Sequence, residues 1–130
     1  MNQFTLTETF AATPIALYTA WVDPRDHAQF TGSAATGEAR PGERFTSWDG
    51  YIEGRHLTLE PGKTIVQAWR TSEFPAGSAD SMVTIELQAV AEGTLLTLHH
   101  TQIPEGQADR YCQGWIDYYF APLHDWLARG

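Results

Sequence analysis

Residues 107 to 127, QADRYCQGWIDYYFAPLHDWL, carry an apolar stripe at helical period, longer than any other periodic run in the chain. At 100° per residue with Trp115 as origin, Tyr111, Cys112, Trp115, Tyr119, Leu123 and Trp126 fall within about 60° of one direction. Arg110, Gln113, Asp117, His124 and Ala128 gather opposite. The segment reads as one long amphipathic helix from about Gln107. Pro122 interrupts it, because it cannot donate to the carbonyl of Tyr118 and crowds that turn at a cost of about 3 kcal/mol. Either a kink between Tyr118 and Pro122 follows, or a break with Pro122 opening a final short helix.

So aromatic a helix face needs a large apolar partner, and the preceding residues read as a sheet. QFTLTETF alternates, with Phe4, Leu6, Glu8 and Phe10 on one face and Gln3, Thr5, Thr7 and Thr9 on the other, which predicts a strand over residues 3–10. In TPIALYTAWVDP, Thr13 is placed to cap a short helix, Pro14 to occupy its first position and Asp23-Pro24 to end it. Asp23 can also cap a second short helix through Phe30. From Thr31 to Thr101 short hydrophobic runs alternate with turn pairs: Asp49-Gly50, Pro61-Gly62 and Glu92-Gly93. The first suits a two-residue hairpin turn with both residues at positive φ, and the second is read in the same way. About six strands follow the first, each joined locally, so the sheet is predicted antiparallel. SEFPAGSADS, residues 72–81, reads as the longest irregular stretch. Facing in the strand Tyr51 to Leu59 is left open, because Gly54 is a candidate bulge.

At 130 residues the chain has the length of a single domain, 1–130, able to bury a core without metals or disulfides. Its single cysteine cannot close an intramolecular disulfide, and MNQFTLTETF has neither a basic leader nor an apolar run, so the expectation is a soluble cytoplasmic chain. A net charge of -8 with one lysine excludes nucleic acid and anionic membrane surfaces as partners. No apolar stretch nears the ~20 residues of a membrane span. HxxxH, CxxC, acidic triads, a nucleophile elbow and a phosphate-cradling glycine loop are all missing, so no metal, cofactor or catalytic residue is assigned. Cys112, on the inner helix face, reads as a small buried hydrophobe.

The residues that remain as candidates divide between core, cavity and partner surface. Trp115, Tyr119 and Trp126 sit at the centre of the apolar arc and read either as plain core or as cavity lining, with Trp69 joining them. Glu8 shares a face with Phe4, Leu6 and Phe10, where a carboxylate needs either a cavity or a salt bridge to an arginine at the sheet rim. His99 and His100 point to opposite faces and cannot share a metal. His100 alternates with Leu96 and Leu98, which makes it a cavity candidate or a hydrogen-bonded core imidazole. Phe120 lies at about 140°, outside the arc. It forms an outward patch with Leu127 for a partner or a homodimer, or the Pro122 kink turns it inward.

The stretches LTETF, DGYIEG, LEPGKTIVQAWR and above all QGWIDYYF, in this order and spacing, resemble the C-terminal domain of the activator of the heat-shock-protein-90 ATPase. That domain belongs to the START-like (SRPBCC) superfamily. The resemblance covers nearly the whole chain. It implies an α+β helix-grip fold: a curved antiparallel sheet of six to seven strands wrapped around a long C-terminal helix, with one or two short helices after the first strand. It also implies a cavity between sheet and helix that superfamily members use for apolar ligands, and the heat-shock-90 chaperone as a partner. The favoured function is therefore a non-enzymatic binding domain, taking an apolar small molecule in that cavity or acting as a stress-related co-chaperone. The competing reading is a small cyclase, hydrolase or isomerase with Glu8 or His100 as general acid or base.

Overall fold

A computed structural model describes residues 2–129 of the chain. β1 (Phe4–Phe10) forms where the alternation placed it. α1 (Pro14–Val22) opens with the Thr13 hydroxyl accepting the Ala16 N–H. Asp23 serves two helices at once. Its N–H closes α1 on the Thr19 carbonyl, and its carboxylate accepts the Arg25 and Asp26 N–H groups at 2.8 and 3.2 Å to open α2 (Pro24–Thr31). Satisfying these otherwise orphaned donors fixes the angle between two short helices that would be marginal alone.

Five further strands follow: β2 (Arg44–Ser47), β3 (Ile52–Glu60), β4 (Thr64–Thr71), β5 (Ser81–Val90) and β6 (Gly93–Thr101). The sheet order is β1-β6-β5-β4-β3-β2, antiparallel throughout. β2 to β6 therefore form a simple meander, and only the pairing of β1 with β6, Phe4 opposite His100, is non-local. The alternation of β4 and β6 is strict, with Ile65, Trp69, Leu96, Leu98 and His100 all facing inward.

Local chemistry departs from the simplest reading at four places. The β2–β3 connection spans four residues, and Trp48, Asp49 and Gly50 all take positive φ (52°, 56° and 90°). At Pro61-Gly62 only Gly62 is left-handed, since the proline ring fixes its own φ near −65°. The bulge in β3 lies between His56 and Thr58, not at Gly54, and leaves Leu57 exposed. The longest irregular segment is 32–43 rather than 72–81. The latter is tied down by buried Phe74 and by the Arg70–Asp80 ion pair, and Ser81 already belongs to β5.

The C-terminal helix runs from Ala108 to Ala128 as α3 (Ala108–Trp115), a π-helical turn (Ile116–Phe120) and α4 (Ala121–Ala128). It neither breaks nor simply kinks at Pro122. In the widened turn the Ala121 N–H reaches the Ile116 carbonyl, so the ladder has already slipped by one residue where the proline lacks its donor. One inserted residue rotates everything after it by about 100°. That carries Phe120 from the flank into the core, where it is 4 % exposed and meets Phe10 edge-on at 5.7 Å. The expected outward patch is therefore not formed, and Leu127 is likewise half-buried against the core. The same rotation swings Trp126 off the centre of the stripe to a half-buried place against Phe30. Among the described residues no helix is long and apolar enough to cross a membrane.

Candidate functional site: an aromatic cavity under the helix

Between the open end of the meander and the C-terminal helix lies a cavity of about 340 Å³. Its deep wall is Ile52 from β3, Trp69 from β4, and Tyr111, Trp115 and Tyr119 from the helix, each no more than 5 % exposed. Its rim is Ser33, Trp48, Asp49, Tyr51, Arg110 and Tyr118. Seven of the twelve lining residues are aromatic and one, Ile52, is aliphatic, so the wall presents rings rather than alkyl groups.

The hydroxyls of Tyr111 and Tyr119 and the indole N–H of Trp115 in the deep wall are taken up by partners behind it. The His27 Nδ1–H donates to the Trp21 carbonyl at 2.8 Å, which leaves Nε2 as an acceptor for the Tyr119 hydroxyl at 2.9 Å. Ser47 then donates to the Tyr119 oxygen at 3.1 Å. Burial holds His27 neutral, lowering its pKa to about 4, and raises that of the Tyr119 phenol. The Tyr111 hydroxyl donates to Gln107 and accepts from Thr71, both at 2.6 Å. The Trp115 indole N–H donates to His100 Nδ1 at 3.1 Å; His100 Nε2–H passes to Ser81 at 2.8 Å, and Ser81 to the Trp69 carbonyl. Three chains of hydrogen bonds thus stitch the helix to α2 and the sheet from behind the cavity.

At the rim, the Glu73 carboxylate accepts from Arg110 at 2.5 Å and from the Tyr51 hydroxyl, whose pKa burial and this contact push up to about 12. Asp49 accepts the Ala34 N–H at 3.0 Å and the Ser33 hydroxyl at 3.2 Å. These bonds, with the Asp49 N–H on the Ala34 carbonyl, hold the left-handed turn that sets Trp48 over the opening, 5.7 Å from Tyr118. A bulky residue at φ 52° carries strain of about 1–3 kcal/mol, which the anchored turn offsets.

Of the six residues expected to line a cavity, the structure brings together Trp69, Trp115 and Tyr119. His100 is fully buried behind the wall with both nitrogens satisfied, the core outcome, and its pKa is lowered by burial to about 3. Glu8 lies on the far side of the helix. Its partner is His124 at 2.6 Å and not an arginine, in a shallow groove with Leu6, Ile116 and Phe120. Trp126 is outside the cavity as well. Sequence reasoning missed Trp48, Tyr111 and Tyr118. Tyr111 was on the apolar arc, but Tyr118 reaches the rim through the π turn and Trp48 through three left-handed residues, neither of which hydrophobic periodicity reports.

Residues 11–128 match the family model described as activator of Hsp90 ATPase homolog 1-like protein. The human activator of 90 kDa heat shock protein ATPase homolog 1 is 34% identical over 128 residues, covering 98% of this chain and 38% of that protein. A homologue from Dictyostelium discoideum is 34% identical over 113 residues, 85% of this chain and 29% of its own. The chain thus spans between 29% and 38% of the length of these relatives. Among solved structures, an Hsp90 activator from Plasmodium falciparum superposes with a TM-score of 0.89 at 26% identity, covering 98% of this chain and 97% of the other. With matching sequence over nearly all its length and the helix-grip arrangement of sheet and helix, the chain belongs to the family of activator of Hsp90 ATPase homolog 1-like proteins.

Proposed function

We propose that this chain is a binding domain whose aromatic cavity takes a small molecule with an apolar body. The observation that carries the reading is Gly114. It sits inside α3 at the cavity wall, and a Cβ there would meet nothing within 4 Å. A glycine inside a helix costs about 1 kcal/mol relative to alanine. Neither tight packing nor a special φ calls for it here, so its effect is to keep the cavity open. The acid and base that the sequence offered for catalysis, Glu8 and His100, both lie outside this wall, which favours binding over turnover in it.

The test compares Gly114→Ala and Gly114→Leu with the parent chain, using tryptophan fluorescence and amide NMR to follow a panel of small aromatic probes. Parent protein is expected to bind with shifts centred on Trp48, Trp69 and Tyr118. Gly114→Ala is expected to gain about 0.5–1 kcal/mol of stability, and Gly114→Leu to fold but lose binding. Saturable binding that survives Gly114→Leu would sink the cavity reading.

A second reading, partnership with a 90 kDa heat-shock chaperone, rests on the family and on relatives whose names carry that activity. With net charge -8, the chain would be steered to a basic surface and released by salt. An amide NMR titration with the chaperone should broaden one contiguous face, less so at high salt. An unchanged spectrum at high chaperone concentration would end this reading.

A further inference from the structure

What the cavity can hold follows from what its wall withholds. Tyr111, Tyr119 and Trp115 all spend their polar hydrogens on partners behind the wall. A ligand group bearing N–H or O–H would lose water there and find few free partners, a net penalty. Two ligand classes avoid that penalty: a neutral hydrocarbon, and an ammonium ion whose nitrogen is fully substituted and carries no hydrogen. The composition of the wall separates them. A saturated hydrocarbon is served equally by leucine and isoleucine, whereas aromatic faces add an electrostatic attraction for a cation that neither aliphatic residue can supply. Ile52 is the single aliphatic residue among the lining.

The rim charges point the same way. Arg110 is matched by Glu73 at 2.5 Å. Asp49 is fixed by two neutral donors and pairs with no lysine or arginine among the described residues, so its carboxylate is uncompensated beside the opening. Trp48, next in the chain, is held over the same opening by the left-handed turn that the Asp49 carboxylate anchors. The whole chain, at -8, raises the local concentration of cations further.

We propose that the cavity binds a quaternary ammonium ion carrying an apolar body, with the cationic head against the aromatic wall, and with the Asp49 carboxylate, whose two oxygens already accept from Ala34 and Ser33, supplying charge from the rim. This deepens the binding reading and rests on it. The cost of dehydrating such an ion is small compared with that of a primary ammonium, which keeps its water through three N–H donors.

The probes are benzyltrimethylammonium, its neutral isostere neopentylbenzene and the primary amine benzylamine, each titrated into the intact chain by tryptophan fluorescence and amide NMR. The quaternary ion is expected to bind about tenfold or more tighter than either comparator. Asp49→Asn, which keeps a residue tolerant of the left-handed conformation, should weaken the ion several-fold and leave neopentylbenzene unchanged. Added salt should weaken only the ion. Equal or tighter binding of neopentylbenzene overturns the assignment while the cavity reading stands. Binding of the ion that survives Gly114→Leu places it elsewhere and also overturns it. If none of the three probes binds saturably, both readings fall.

Discussion

The hydroxyl of Tyr119 is hydrogen-bonded to two buried groups, His27 Nε2 and Ser47. Tyr119→Phe keeps the ring and strips both partners of their bond. The expected loss is about 1–3 kcal/mol, read from urea midpoints, together with a changed ¹⁵N shift for His27 Nε2. A loss within error would mean that water replaces the hydroxyl and the chain from α2 to the helix is not structural. Gly54 constrains the sheet in another way: a Cβ there would lie 2.0 Å from the Ala68 carbonyl and 2.8 Å from the Phe45 ring. Gly54→Ala must push β3 off β4 or displace Phe45, and a destabilisation of about 1–3 kcal/mol is expected. An unchanged melting temperature would show that β3 relaxes freely.

At the level of elements, the π-helical turn decides which helix residues meet the cavity. Because the ladder has already slipped at Ala121, Pro122 occupies a place where its missing donor is tolerated. Pro122→Ala is therefore expected to change stability by less than about 1 kcal/mol, far below the ~3 kcal/mol of a proline inside a regular helix. Amide hydrogen exchange should show the turn kept, with Phe120 still protected. A variant stabilised by several kcal/mol, with Phe120 newly exposed, would mean that the proline forces the turn rather than fits it. The sheet shows a similar division of labour. Strict alternation built β4 and β6, while the bulge at His56–Thr58 released Leu57 to solvent and kept His56 inside.

For the molecule as a whole, buried neutral histidines set the acid limit. His27 and His100 have folded pKa values lowered to about 4 and about 3 by burial, and His56 shifts in the same direction. The unfolded chain binds these protons near 6.5. Stability from the two is thus complete above that pH and is lost as pH falls toward the folded values. With both in play the slope below about pH 5.5 is about 3 kcal/mol per pH unit. Urea titrations at pH 7.5, 5.5 and 4.5 test this, and stability held flat to pH 4.5 would contradict neutral buried imidazoles.

Periodicity and end signals were enough to define β1, the double use of Asp23, the antiparallel order of the sheet and the aromatic helix laid over it, because those signals act within a few residues along the chain. Trp69, Trp115 and Tyr119 were legible for the same reason: each lies on the apolar side of its element. The inward turn of Phe120, the exile of Glu8 to His124 and the retreat of His100 behind the wall were decided by tertiary structure. A one-residue slip in the helix rotates every later side chain, and no local pattern records it. Trp48 reaches the cavity rim because residues 33 and 34, far from it in the chain, supply the bonds that hold its turn left-handed. Sequence fixes which faces are apolar; only packing across distant elements decides where those faces fail to meet, and that gap is the cavity.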